Sequence, residues 1–363
     1  MDDRKTKIAI ISHALGGGGA ERFAALLSFM LTDSGFEIHN VILNDVTDYE
    51  YTGSLLNLGK LCKADGNMKR KFSKGMALKK YLNATGIDVI IDNRPRNNWF
   101  RDYFFKKIYG GRKMVYLIQN YNLKNYIPEN KFLAGLLYKD AERLVCVSKA
   151  IEQQLNEKYH FANTATIYNP VNLNADTISE AEGMPEKYIL YFGRFDEKAK
   201  NFSLMIEAFA DSEIYAKGFQ LVLMGEGPDR NFIESEIVKR NIGEFVAIIP
   251  YQKNPFGIVK KAKYTILTSR FEGFPLSVAE SLAMGTPVIA VDCKSGPSEV
   301  IVNEKNGLLV ENYNPQALSK AMNLLIDDSG LYQACKQNAA ASVSHLSLES
   351  ISGQWQQVLS SFV

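Results

Sequence analysis

The sequence predicts an α/β protein made of two parallel-sheet domains. Short β-branched or apolar runs alternate with helix-length segments along the chain, the pattern of a parallel sheet covered by helices on both faces. The alternation runs twice, through residues 1–171 and again through 187–347, and 363 residues suffice for two domains. Residues 172–186 are polar, lack a core pattern and read as a linker.

In the first half, strands are expected at Lys7–Ser12, Ile38–Leu43, Asp88–Asp92, Met114–Ile118, Arg143–Val147 and Ala165–Tyr168, with helices at Ala20–Leu31 and Ala150–Tyr159. In the second half, strands are expected at Tyr188–Phe192, Gln220–Met224, Val246–Ile249, Tyr264–Leu267, Val288–Val291 and Leu308–Val310. Helices are expected there at Phe202–Phe209, Asp229–Arg240 and Pro315–Ile326, and from about Leu276 to Met284, with Gly285 at the left-handed cap position. Leu348–Val363 reads as a last amphipathic helix, expected to return to the first domain. Open parallel sheets bind ligands beyond the carboxyl ends of their strands, so two such sheets facing each other predict a site in a central cleft.

Apolar residues make up 46% of the chain and charged residues 23%, an ordinary globular balance. The net charge of +2 hides an asymmetry: residues 1–165 carry 25 Lys and Arg against 17 Asp and Glu, a balance of +8, and the remainder carries −6. A basic first half points to an anionic partner. The four cysteines form no C-x-x-C and fit a reduced compartment; the four histidines have no metal-ligand spacing. The charged start Met-Asp-Asp-Arg-Lys leads straight into a strand, so no signal peptide is expected, and no apolar run approaches the length of a membrane span. The expected location is the cytoplasm, with peripheral contact at the inner face of the membrane.

Five loops carry the chemistry. His13-Ala-Leu-Gly-Gly-Gly-Gly-Ala-Glu-Arg22 follows the first strand; its glycines let the backbone approach a phosphate at a helix N-terminus, or form a plain flexible turn. Glu21 stands at the third glycine position of G-x-G-x-x-G, so the dinucleotide fingerprint fails. Gly193-Arg-Phe-Asp-Glu-Lys-Ala-Lys-Asn201 places Arg194 and Lys200, with Lys198 as competitor, around one strand–helix junction where an anion could sit. Gly225-Glu-Gly227 could approach a base or ribose or be a tight turn, and Tyr251 to Asn254 could meet a nucleobase through backbone. Glu272 and Glu280 lie eight residues apart across a turn-to-helix junction, whose free N–H groups and positive dipole end suit a ligand with phosphate and many hydroxyls.

Gly193-Arg194 with Lys200-Asn201, Gly225-Glu-Gly227, Glu272-Gly-Phe-Pro-Leu-Ser-Val-Ala-Glu280 and Gly285-Thr-Pro-Val-Ile289 occur in this order. In this set the chain resembles the retaining glycosyltransferases of family 4 (group 1), which have the GT-B architecture of two Rossmann-like domains facing a central cleft. Gly18-Gly-Ala-Glu-Arg22, Val147-Ser148, Tyr168-Asn-Pro-Val171, Gly296-Pro-Ser-Glu299 and Asn306-Gly-Leu-Leu-Val310 support the match. The resemblance is very specific over 188–310 and looser over 1–165. It implies an acceptor domain at 1–171, a nucleotide-sugar donor domain at 187–347, and a catalytic set of Glu272, Arg194 and Lys200. Arg194 and Lys200 would hold the donor diphosphate, Glu272 would face the transferred sugar, and Glu280 would bind the ribose hydroxyls. Backbone at Gly273, Phe274, Leu276 and Ser277 would line sugar and phosphate; Pro275 has no N–H to offer. Gly18, Gly19, Gly225 and Tyr251 complete the donor set.

The implied activity moves a hexose or N-acetylhexosamine from a nucleotide sugar, of UDP type, to a glycan acceptor such as a lipid-linked, lipopolysaccharide, capsule or exopolysaccharide precursor. No metal and no cofactor is expected. The alternatives are a GDP-mannose-dependent transferase, a nucleotide-sugar epimerase of the same fold, or a non-catalytic sugar-nucleotide-binding protein. Many relatives carry a His-containing motif where this chain reads Leu117-Ile-Gln-Asn-Tyr-Asn122, and neither Gln119 nor Asn120 can act as a base. His13, Arg94 and Asn120 are the acceptor-side candidates, His13 being equally readable as structural. Residues 94–113 interleave aromatics with bases, and 69–80 add six bases around Phe72, Met76 and Leu78. These segments read as a surface for an anionic bilayer, as a single-stranded nucleic-acid surface, or as helices with aromatics in the core and bases in water. Beside a sugar-nucleotide enzyme the membrane is the better functional reading, and no nucleic-acid partner is expected.

Overall fold

The computed structural model describes residues 4–62, 67–171 and 183–361; most of the expected linker, 172–182, lies outside them. The chain divides into two compact units, Met1–Pro170 with Leu348–Val363, and Val171–Ser347.

Unit 1 holds a seven-stranded parallel sheet: β1 (Lys7–Ser12), β2 (Glu37–Ile42), β3 (Ser54–Asn57), β4 (Val89–Asp92), β5 (Lys113–Ile118), β6 (Arg143–Cys146) and β7 (Thr164–Thr166), in the order β3-β2-β1-β4-β5-β6-β7. Unit 2 holds six: β8 (Tyr188–Phe192), β9 (Gln220–Met224), β10 (Val246–Ile249), β11 (Thr265–Leu267), β12 (Val288–Val291) and β13 (Gly307–Val310), in the order β10-β9-β8-β11-β12-β13. The inner strands are buried on both faces, as continuous runs such as Val89-Ile-Ile and Val288-Ile-Ala-Val require.

Right-handed crossovers put the helices Asn67–Thr85, Trp99–Tyr109, Lys131–Tyr138 and Lys149–Tyr159 in one layer on one face of the first sheet. Gly19–Asp33 takes the other face, and the terminal helix Leu348–Ser360 packs beside it. Trp355 of that helix is fully buried, its ring 6.3 Å from Phe23. In unit 2 the apolar stripe of Phe202–Ser212 lies on β8 and β9, where Phe202 and Phe195 meet Tyr191. Helix Leu276–Ala283 ends in a Schellman turn: Gly285, at φ +75°, donates to Leu282 O at 2.9 Å and Thr286 donates to Ser281 O at 3.0 Å.

Each sheet grows first to one side and then to the other, so each has one switch point, between β1 and β4 and between β8 and β11. Loops leaving the carboxyl ends of these pairs splay apart and leave a crevice.

Beside the switch point of unit 1 lies a buried charged cluster. Arg94 grips Asp92 with two hydrogen bonds, Nε to Oδ1 at 2.9 Å and Nη2 to Oδ2 at 2.6 Å, and also reaches the Tyr109 hydroxyl at 2.8 Å. Its guanidinium lies 3.8 Å over the Phe105 ring. Arg96 donates to the carbonyls of Asp92, Arg94 and Leu117. Arg94 is 1% exposed, so the expectation that it meets an acceptor is corrected: Asp92 and Tyr109 hold it in the core. In 94–113 the core reading applies to Phe105 and Tyr109, while Trp99 and Phe100 face solvent.

Burial pushes the Asp92 carboxyl up, but the charges and hydrogen bonds of Arg94, then Arg96, outweigh it and bring it down to about 2. A carboxyl lowered by folding stabilises the fold above its ordinary range, and that contribution is lost as pH falls through about 2. Stability is therefore expected to fall between roughly pH 4 and 2 with a slope that Asp92→Asn reduces. Arg94→Ala strands a buried carboxylate and should cost about 3–5 kcal/mol in urea unfolding at neutral pH.

Candidate functional site

The residues expected to carry chemistry in unit 2 converge on its switch point. The loop after β8 forms a single turn, Glu197–Lys200, capped by Asp196, whose side chain accepts from Ala199 N at 3.2 Å. Asn201, at φ +54°, passes the chain into helix Phe202–Ser212. Lys200 thus ends a short rigid turn at the carboxyl edge of β8, and the loop after β11 faces it with Thr268 to Glu272.

Lys200 Nζ lies 2.6 Å from Glu272 Oε1, and the same oxygen accepts from Ser269 Oγ at 2.5 Å. The side chains of Lys200 and Glu272 keep 23% and 12% of their surface exposed, so a ligand can reach both. Lys198, the competing candidate, points to solvent. Arg194 is exposed and has no ion pair among the described residues. The site therefore offers one cation already held by a carboxylate and a second extended toward solvent.

Three contacts clamp the β11 loop to the lysine turn. Thr268 Oγ1 donates to Lys200 O at 2.8 Å, Arg270 N to Ala199 O at 2.8 Å, and Arg270 Nη2 to Glu197 Oε1 at 2.7 Å. Glu197 also accepts from the Ser203 hydroxyl and N–H, tying the turn to the next helix. Thr268, Ser269, Arg270 and Glu197 were not among the expected site residues. The signal was their position: a Thr-Ser-Arg step directly between a buried strand and Glu272.

The segment from Glu272 holds itself by backbone. Glu272 N donates to Lys294 O at 3.1 Å, and Ser295 Oγ donates to Gly273 O at 3.1 Å. Helix Leu276–Ala283 starts here with its dipole toward the loop; Ser277 is its second residue. The Leu276 N–H, expected to line the phosphates, instead closes a turn onto Phe274 O at 2.9 Å. Phe274 is buried, and Glu280 on the helix is 7% exposed. Burial and then the Glu272 carboxylate push the neighbouring Cys293 thiol up to about 12, so it stays an unreactive thiol.

Glycines pack the floor. Gly193 (φ +153°) and Gly225 (φ +154°) end β8 and β9 so closely that a Cβ on Gly225 would lie 1.9 Å from Gly193 O. A Cβ on Gly227 would lie 2.1 Å from Phe195 O. Tyr251, after β10, is 56% exposed at the same sheet edge.

Unit 1 brings different groups to its own switch point. Gly18 is the N-cap of helix Gly19–Asp33, and its carbonyl accepts from Arg22 N at 2.9 Å. The Glu21 carboxyl folds back over this start, 2.7 Å from where a Gly18 Cβ would be, and burial pushes its pKa up. Asn93, at the end of β4, donates to Ala20 O at 2.8 Å, accepts from Gln119 at 2.8 Å, and Gln119 in turn accepts from Asn169 at 3.3 Å. Asn120 is half-buried and accepts from Asn122 N. Burial, then Arg94 and Arg101, lower the pKa of His13 and favour its neutral ring.

Two family profiles match the chain: Glycosyltransferase Family 4 over residues 17–175, and Glycosyl transferases group 1 over residues 175–342. The chain is similar to the N-acetylgalactosamine-N,N'-diacetylbacillosaminyl-diphospho-undecaprenol 4-alpha-N-acetylgalactosaminyltransferase of Campylobacter jejuni, 29% identical over 354 residues, 92% of this chain and 93% of the relative. Its fold is that of the lipopolysaccharide outer core galactosyltransferase WaaB in its apo form, with a TM-score of 0.71 at 20% identity over 99% of this chain and 100% of the other. It is also that of Anabaena Alr3699/HepE in complex with UDP and glucose, with a TM-score of 0.79 at 16% identity over 98% and 100% of the two chains.

The floor of the unit 2 site depends on backbone contact without side chains. Gly225→Ala should cost about 1–3 kcal/mol through its overlap with Gly193 and its positive φ. An unchanged urea midpoint would show that β8 and β9 do not need this approach.

Proposed function

The chain belongs to glycosyltransferase family 4 and is a glycosyltransferase, and from that premise we propose that it transfers a hexose or N-acetylhexosamine from a UDP-sugar to a lipid-linked glycan, with retention of anomeric configuration. The observation that carries the donor half is the Lys200–Glu272 contact at 2.6 Å, with Arg194 free to join it. Lys200 and Arg194 hold the diphosphate, Glu272 orients the sugar, and Glu280 takes the ribose hydroxyls.

Cleavage of the sugar–diphosphate bond builds negative charge on the leaving oxygen. Two cations and a helix N-terminus stabilise it, and one such donor is worth about 3–4 kcal/mol in the transition state. Arg194 and Lys200 supply this charge, so the reading assigns no metal. Glu272 is held by Lys200 and Ser269 rather than poised as an acid, which fits an orienting role. The acceptor hydroxyl attacks from the face that the phosphate leaves, and the phosphate takes its proton. The acceptor class follows the diphospho-undecaprenol named in the Campylobacter relative and the lipopolysaccharide named in the WaaB structure. The work takes place at the cytoplasmic side of the membrane, although no helix among the described residues is long and apolar enough to cross one.

Calorimetry with UDP, GDP and ADP should show tightest binding of UDP; no binding of any nucleotide would end this reading. Lys200→Ala should lower turnover by two to three orders of magnitude while the melting temperature hardly moves. Arg270, a positioning residue, should lose about tenfold in kcat/KM on change to Ala, with partial recovery in Arg270→Lys. Turnover should survive EDTA; a loss restored by Mn²⁺ would overturn the metal-free assignment.

A further inference from the structure

The turn after β13 meets the unit 2 site from a side that the donor contacts do not use. It runs from Glu311 to Asn314, between β13 and helix Pro315–Asp327, two strands away from β11. It nevertheless reaches over the end of β12 to the loop that carries Glu272. Asn312 Nδ2 donates to Ser269 O at 3.5 Å, and the Tyr313 ring centroid lies 5.9 Å from the Arg270 guanidinium, within cation–π range. These two residues hold the ionic pair from either end: Ser269 donates to Glu272, and Arg270 grips Glu197 on the turn that ends in Lys200. One turn thus touches both supports.

Tyr313 is an unusual residue for its place. Its φ is +61°, in the left-handed region, which a bulky side chain enters only at a cost. Both chain neighbours are asparagines, a residue type that bears this conformation more easily, yet the tyrosine adopts it. Burial does not repay the strain, since Tyr313 is 61% exposed. The backbone around it is fixed. Asn312 Oδ1 accepts from Tyr313 N, Asn314 Nδ2 donates to Glu311 Oε2, and Asn314 Oδ1 accepts from Ala317 N to cap the next helix, each at 2.9 Å. Strain that the surroundings hold in place clusters where it serves a site. We propose that Tyr313 is a positioning residue: its ring restrains Arg270 and, through the Arg270–Glu197 pair, sets where Lys200 meets the leaving diphosphate. An aromatic face suits this task because it holds a cation without adding a carboxylate that would repel phosphate. The inference rests on the proposed function for the role of Lys200.

The test follows the full chain by UDP release from a UDP-sugar, by urea unfolding and by amide hydrogen exchange. Tyr313→Gly removes the ring and the strain together. It should leave the urea midpoint no lower while cutting kcat about fivefold, with KM for the UDP-sugar within about twofold. A merely structural tyrosine would lower the midpoint as well. Tyr313→Phe keeps the ring and should recover most of the lost kcat. In an Arg270→Ala background, Tyr313→Gly should cost nothing further, the sign of two residues acting as one unit. The amides of Lys200 and Asn201, which donate to Asp196 O and Glu197 O at 2.7 and 3.0 Å, should exchange faster in Tyr313→Gly with no nucleotide present. That measurement judges the contact even if no nucleotide binds, an outcome that would sink the donor reading instead. Unchanged exchange, an unchanged kcat in Tyr313→Gly, or an equal loss with and without Arg270 would overturn the inference; the last would mean that the ring meets substrate directly.

Discussion

A parallel sheet that grows to one side and then to the other leaves a single pair of neighbouring strands whose outgoing loops diverge, and every polar feature of this chain's sites answers that constraint. In unit 2 the pair is β8 and β11, and the gap is filled by Lys200 against Glu272. In unit 1 the pair is β1 and β4, and Asn93 at the end of β4 starts a chain of amides through Gln119 to Asn169, with the Glu21 carboxyl over the facing helix start. One architecture thus gives two strand-end crevices with different linings.

The two units also use ion pairs differently. Asp92 and Arg94 are both sealed from water and satisfied by several partners, so their contact is fixed for the life of the fold. Lys200 and Glu272 stay partly open to solvent. The turn that carries Lys200 is held by Thr268 on its backbone and by Arg270 on Glu197. Depth of burial therefore separates the charge that builds the domain from the charge that can act.

Most of the framework was legible because buried parallel strands are continuous β-branched runs; β1, β8, β9, β10 and β12 match expectation to the residue. β3 was missed because Ser54-Leu-Leu-Asn57 has two apolar residues and sits at an edge, where only one neighbour specifies it. Helix Ser329–Ser342 was missed because its alanines and polar residues form only a weak stripe. In the site, Gly193, Arg194, Lys200, Glu272 and Glu280 were readable from motifs along the chain. The Lys200–Glu272 contact spans 72 residues and the Arg270–Glu197 contact 73, and no local pattern reports either. Arg94 misled because base-and-aromatic spacing looks alike on a surface and in a core. The distinguishing sign was Asp92, two residues earlier at the end of an apolar strand.

Helix Leu348–Ser360 belongs to unit 1, from which unit 2 separates it in sequence, and its Trp355 fills the core beside Phe23. During synthesis unit 1 cannot close its interior until residues 348–360, which follow unit 2 in sequence, have been made. Unit 2, contiguous in sequence, has no such wait. While unit 2 is being made, the face of Gly19–Asp33 that Trp355 covers stands open, an apolar surface that helix Leu348–Ser360 later seals. The order in which the two halves are written is thus the reverse of the order in which they can be finished.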